Sequence, residues 1–191
     1  SLVFTLTPKP TAGVFGLFFA SGAGDVNGDG FPDIYVGDYA DRSGNSPNDP
    51  NGYVTGQAYL FSGADGSILR VFRASSPAEG LGPGRGIKED LNGDGYNDFI
   101  IAGYTNSEEV SNGGRAYVIS GRNGRVLRTY TGTIPEDWLG SEAFAMGDVN
   151  GDGLVDYMLT AYGLAFAGGN AGSAYLVAGT PLPHQTSVGI R

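Results

Sequence analysis

The sequence predicts an all-β protein made of β-propeller blades: three four-stranded antiparallel repeats strung along a chain of 191 residues. Three observations predict it. An acidic, glycine-rich loop occurs three times, beginning at Asp25, Asp90 and Asp148, and each copy runs straight into a short apolar segment. A second landmark, "GQAYLF", "GRAYVI" and "GSAYLV", starts at Gly56, Gly114 and Gly172, a constant spacing of 58 residues. No stretch carries helical periodicity, and fixed-order landmarks mean one supersecondary unit repeated.

Each element of the unit follows from its residues. A hydrophobe-Gly pair (Phe15-Gly16, Leu81-Gly82, Leu139-Gly140) leads into a first strand, A, that ends at the acidic loop. Strand B follows the loop at Ile34–Val36, Phe99–Ile101 and Tyr157–Leu159. Strand C is the repeated landmark, Ala58–Phe61 and its equivalents. Strand D is Ile68–Phe72 and Val126–Tyr130. Between C and D stand Asp65-Gly66 and Asn123-Gly124, dipeptides favoured in tight type I′ hairpins because positive φ is needed there. Four such strands in about 60 residues make a blade.

These landmarks divide a single segment, 1–191, into repeats of approximately 8–74, 75–132 and 133–180. Residues 1–7 read as an orphan outer strand ("LVFTL", Leu2–Leu6), and 181–191 as a tail. The third repeat reaches strand C and then meets Pro181 and Pro183 without a strand D. Propellers typically need about four to eight blades. The expectation is therefore a part of a larger ring, or copies that associate to complete one; an open arc would leave two blade faces in water.

Composition narrows the function classes. The formal net charge of −9 argues against a nucleic-acid partner, since phosphate backbones call for a basic patch. No apolar run approaches the roughly 18 residues of a membrane span. No basic-then-apolar leader begins the sequence, so any signal peptide is expected to be removed or to lie outside it. With no cysteine, compartment cannot be read from thiols.

The loops offer oxygen at alternate positions. In the first, the donors are Asp25, Asn27, Asp29, the Phe31 carbonyl and Asp33; in the second, Asp90, Asn92, Asp94, the Tyr96 carbonyl and Asp98; in the third, Asp148, Asn150, Asp152, the Leu154 carbonyl and Asp156. A mixed set of charged and neutral oxygens on a glycine-rich loop suits calcium, one ion per repeat and about three in all. Zinc would want His or Cys, and the chain has one His and no Cys. An EF-hand loop needs a carboxylate at position 12, where Val36, Ile101 and Leu159 stand here. The charge balance agrees: the nine loop aspartates leave 11 acids to match 11 Lys and Arg. Three carboxylates this close repel without a cation. Turn preference of Asp, Asn and Gly is the plainer reading, but it does not demand the same pattern three times.

On these residues the chain resembles FG-GAP repeats, the calcium-binding blades of integrin α-subunit propellers and of many secreted bacterial proteins. Phe15-Gly16 matches the "FG", and the D-x-N-x-D-G-x-x-D loops match the calcium cages. The "GAP" positions depart from the pattern, reading Gly37-Asp38-Tyr39, Ala102-Gly103-Tyr104 and Thr160-Ala161-Tyr162. The resemblance covers Leu2 to about Gly179 and implies a propeller with calcium on the A–B hairpin of each blade. Integrin function is not implied, since there is no Cys, inserted domain or membrane anchor.

Antiparallel order puts the A–B and C–D turns on one rim and the longer loops on the other. The opposite rim would carry the polar insertion "DRSGNSPNDPNG" (Asp41–Gly52), Asp38, Tyr39, Tyr104, Tyr162 and Trp138. The tyrosines read either as an aromatic platform for a sugar or protein or, preferred on general grounds, as packing between blades. Catalytic signals are weak. His184 stands alone in a Pro-rich tail, and "GPGRG" (Gly82–Gly86) lacks the G-K-[ST] of a phosphate loop. The expected function is a non-enzymatic, calcium-binding, secreted or cell-surface module for adhesion or recognition of a protein or glycan. The alternatives are a non-catalytic scaffold within a secreted propeller-type polysaccharide lyase or hydrolase, and a self-assembling extracellular structural protein.

Overall fold

The computed structural model describes residues 3–10, 12–42, 54–74, 76, 78–163, 172–182 and 187–190. The repeat pattern becomes three sheets. Strands β1 (Ala20–Gly24), β2 (Asp33–Asp38), β3 (Gln57–Phe61) and β4 (Ile68–Arg73) pair in that order, each antiparallel to the next. β5 (Leu81–Gly86), β6 (Phe99–Gly103), β7 (Arg115–Ile119) and β8 (Val126–Gly132) repeat the arrangement. β9 (Leu139–Gly147), β10 (Asp156–Ala161) and β11 (Ser173–Val177) form a third sheet of three strands. Each expected B, C and D run lies within an observed strand, and the described part of the third repeat has no D.

The ends depart from expectation. Residues 181–191 read as a tail, yet β12 (Ser187–Ile190) pairs parallel with β8, Ser187 opposite Thr129 and Ile190 opposite Gly132. It takes the free outer edge of the second blade. The expected orphan strand at 1–7 is absent over residues 3–7. That stretch lies against the first blade instead, with Phe4 and Leu6 half-buried between the exposed Val3, Thr5 and Thr7. Leu6 and Phe15 pack on Val36, Tyr59 and Phe61, which are at most 2% exposed. One of the two blade faces that an open arc would leave in water is thus covered by the chain itself, because burying these rings outweighs one edge pairing. On the third blade's outward face Leu176 remains 52% exposed.

Two apolar cores join the blades. Tyr35, Leu60, Leu81, Phe99 and Ile101 fill the first junction; Ile100, Val118, Tyr130, Tyr157 and Leu159 fill the second. The alternation of strand side chains sends Ile100 to one junction and Ile101 to the other. Tyr35 Oη donates to the Gly82 carbonyl at 2.7 Å, satisfying a phenol that is otherwise fully buried. The innermost strands approach backbone to backbone: a Cβ on Gly86 would lie 2.2 Å from the Gly22 carbonyl oxygen. The "GPGRG" stretch is therefore strand β5 at a blade junction, where it opens no helix.

The C–D connections are wider than the expected type I′ turns. Only Gly66 and Gly124 have positive φ there (74° and 72°), not the residues before them. Gly66 N donates to the Ser62 carbonyl at 2.9 Å, and Asp65 Oδ1 accepts from Ser67 N at 2.8 Å. The Asp side chain caps the turn from outside, so one left-handed glycine suffices.

Candidate metal loops and the opposite rim

The three loops are built alike. In the first, Asp25 turns inward and accepts from the amides of Gly28 (2.6 Å), Asp29 (3.1 Å) and Gly30 (2.9 Å). Asn27 Oδ1 accepts from Asp29 N at 2.9 Å, and Asp29 Oδ1 accepts from Phe31 N at 2.8 Å. Asp90 and Asp148 accept from Gly95 and Gly153, the counterparts of Gly30, at 2.6 and 2.8 Å. Asn92 and Asn150 accept from Asp94 N and Asp152 N, and those aspartates accept from Tyr96 N and Leu154 N. The glycine after the fifth-position Asp has φ of 87°, 88° and 84° in the three copies, a conformation that a side chain would strain.

The ninth-position acid is different. Asp33, Asp98 and Asp156 are at most 1% exposed, beneath the loop. Asp33 accepts from Val26 N (2.9 Å) and Gly63 N (3.0 Å), Asp98 from Leu91 N (2.8 Å) and Gly121 N (3.0 Å), Asp156 from Val149 N (2.9 Å) and Gly179 N (2.8 Å). Each ties the acidic loop to the chain just beyond strand C, which places both turns on one rim as expected. Burial lifts Asp33 above the usual carboxylate range and pushes Asp98 up to about 6. At Asp156 the Gly179 amide outweighs burial and holds the carboxyl below its ordinary value.

The fold thus gathers each set of five predicted donors into one loop, with its first, third and fifth residues near the surface and its ninth beneath. Among the described residues, no three acidic or imidazole side chains converge at ligating positions in this arrangement; the carboxylates are turned to their own amides. The chemistry of the donor set fits a hard cation: carboxylate and amide oxygens without nitrogen or sulfur, each oxygen retaining acceptor capacity. The loops are also open, since a Cβ at Gly30, Gly95 or Gly153 would meet nothing within 4 Å.

Asp38 stands apart from this cluster, as its place after strand B implied. It is fully buried at the end of β2 and accepts from Gly13 N (2.9 Å) and Val14 N (2.8 Å), pinning the entry to the first blade. Of the insertion at 41–52 only Asp41 and Arg42 lie within the described residues; His184 lies outside them.

The opposite rim holds a connected row of aromatic rings. Tyr39 lies 6.1 Å from Tyr104, Tyr104 6.4 Å from Tyr162, and Tyr162 stacks on Trp138 at 4.5 Å. Phe18 and Phe19 extend the row from Tyr39 at 6.2 and 6.1 Å. The tyrosines touch one another across blades, as packing required, yet Tyr162 is 51% exposed. Phe18 and Phe19 escaped the sequence reading because nothing in the other repeats matches them. Buried clasps escaped it too: Tyr117 Oη donates to Glu79 and Tyr175 Oη to Asp137. Their signal was present, since both the tyrosines and the acids are 58 residues apart.

Residues 90–159 match the family model described as FG-GAP-like repeat. The match runs from the first Asp of the second loop to Leu159 in β10, so it spans one complete unit of the pattern: loop, strands B, C and D, the next strand A and the next loop. No curated protein matches the chain. Among the described residues no helix is long and apolar enough to cross a membrane.

Proposed function

We propose that this chain is a calcium-stabilised propeller segment that works outside the cell or at its surface as a non-enzymatic recognition module. The observation that carries the reading is the same amide-to-carboxylate pattern built at Asp25, Asp90 and Asp148. Turn chemistry alone would not keep a three-aspartate, one-asparagine set in every copy. Calcium would be held by Asp25, Asn27, Asp29, Asp33 and the Phe31 carbonyl, and by the corresponding five groups of the other two loops. When bound it supplies positive charge that neutralises the clustered carboxylates and fixes each A–B hairpin. Sites of this openness suit the weaker class, with Kd about 10⁻⁴–10⁻³ M, matched to extracellular calcium.

The net charge of −9 supports protein or glycan over nucleic acid as the partner. A non-catalytic role is supported by the way the loop acids are spent on backbone amides. Thermal melting in calcium and in EGTA tests the reading. Saturating three independent sites a hundredfold above Kd adds about 2.7 kcal/mol each, so a clear fall in Tm is expected with EGTA. An unchanged Tm overturns the calcium assignment.

A further inference from the structure

We propose that the aromatic row on the rim opposite the acidic loops is a carbohydrate-binding site, in which Tyr162, Trp138 and Tyr104 stack against the rings of a neutral oligosaccharide. The proposal rests on the reading of this chain as a recognition module and names the class of ligand. Four features support it.

The rings are accessible and adjoin a cavity. Phe18, Phe19, Tyr39, Tyr104, Tyr162 and Ser141 line a pocket of about 210 Å³, below the range of drug-sized sites and of a size for one sugar unit at a time. Phe18 is 63% exposed and Tyr162 51%.

The polar groups at the rings are neutral. The hydroxyls of Tyr39, Tyr104 and Tyr162 make no hydrogen bond among the described residues, and no charged side chain lines the pocket. The charged residues next along the strands, Arg85 and Glu142, pair with each other at 3.2 Å. A pyranose offers apolar C–H faces to the rings and hydroxyls to the phenols. A charged peptide would find no counter-charge here.

Trp138 is held in a costly conformation. Its φ is 54°, in the left-handed region that disfavours bulky side chains. The equivalent place in the second blade, 58 residues earlier, is Gly80 with φ 61°. The module demands positive φ at that point, and glycine meets the demand without strain. The third blade carries an indole there, stacked on Tyr162 at 28° between planes. A strained aromatic on an exposed rim is a mark of function.

The row crosses all three blades. Phe18, Phe19 and Tyr39 belong to the first, Tyr104 to the second, and Tyr162 and Trp138 to the third, each ring within 6.4 Å of the next. A row of rings that alternates face and edge across three blades, Tyr39 and Tyr104 meeting at 75° and Tyr162 and Trp138 at 28°, suits an extended saccharide chain better than a single small molecule.

Trp138 is the chain's one tryptophan, so its fluorescence reports directly on the site. The protein in calcium is titrated with cellohexaose, mannohexaose, xylohexaose and laminarihexaose to millimolar concentration, and saturation-transfer NMR is run on the same mixtures. The expected result is a saturable change in Trp138 emission with at least one hexaose, together with saturation transfer to that sugar. Tyr162→Ala should weaken binding by about tenfold, the worth of one stacked ring, with an unchanged melting temperature. Because Tyr162→Ala also alters the tryptophan's surroundings, Tyr104→Ala is read by NMR alone and should show the same loss. The proposal is overturned if no hexaose gives a saturable response, if binding survives both substitutions, or if only hexalysine perturbs Trp138. A failed titration beside a calcium-dependent Tm removes the sugar site and leaves the calcium module standing. A positive titration with no calcium effect does the reverse.

Discussion

Gly121 N donates to Asp98 Oδ1 at 3.0 Å, joining the turn after β7 to the acidic loop 23 residues earlier. The same aspartate accepts from Leu91 N at its other oxygen. Asp98 is thus a clasp between two turns before it is anything else. Asp98→Ala would leave two backbone N–H groups buried without acceptors, at a cost of about 1–3 kcal/mol each before any packing loss. Urea unfolding in EGTA should show that drop, and only a small one for Asp94→Ala, which lies at the loop surface. An equal drop for both would mean that Asp98 carries no clasp.

The fifth loop position, whose carboxylate accepts a single backbone amide in each copy, is predicted to act mainly on calcium. Asp29→Ala, Asp94→Ala and Asp152→Ala should each remove one calcium from the stoichiometry measured by titration calorimetry. Each should also remove about a third of the calcium-dependent stabilisation, with the two intact loops still binding. Loss of all three ions in any single variant would show that the loops act as one site.

The loops were legible in the sequence because the pattern sits within ten residues and is repeated; chance cannot hold register that often. Strands B, C and D were legible for the same reason, each a β-rich run such as "AYLF" at a fixed offset. Strand A was harder to delimit: "ASGAG" and "LGPGRG" lack the β-branched signature because their glycines let neighbouring backbones come within van der Waals range. What stayed hidden depends on contacts between distant residues outside the repeat. Nothing local says that "SVGI" at 187–190 will pair with β8, or that Leu6 will cover Tyr59 rather than extend a sheet. The double duty of the ninth aspartate was hidden too, since its second amide comes from beyond strand C.

The covering of the first blade makes a stability prediction. Leu6 is half-buried against Val36, Tyr59 and Phe61. Leu6→Ala should cost about 1–2 kcal/mol, less than the 2–5 of a fully buried site. Removing residues 1–10 should cost more and expose those rings, giving concentration-dependent association in sedimentation runs. A shortened chain that stays monomeric at full stability would show that the segment does not seal the blade.

The tyrosine–acid clasps carry a pH dependence whose sign can be worked out. Asp137 is 3% exposed, and its Oδ2 accepts from Tyr175 Oη at 3.1 Å. Burial raises its carboxyl, and the Tyr175 hydrogen bond opposes the rise. A raised folded-state value means that the proton favours the fold: the contribution is complete below the unfolded value, about 3.9, and is lost as pH climbs through the folded value. Tyr175→Phe removes the group that stabilises the charged form, so it raises that value further. Its cost should be about 1–3 kcal/mol at neutral pH and shrink as Asp137 takes up its proton on acidification. Glu79, the matching acid, also accepts from Ser76 N at 3.3 Å, so Tyr117→Phe should cost less. Urea unfolding of both variants at pH values on either side of the Asp137 titration checks the contrast. A Tyr175→Phe penalty that grows in acid would reverse the sign and refute the clasp.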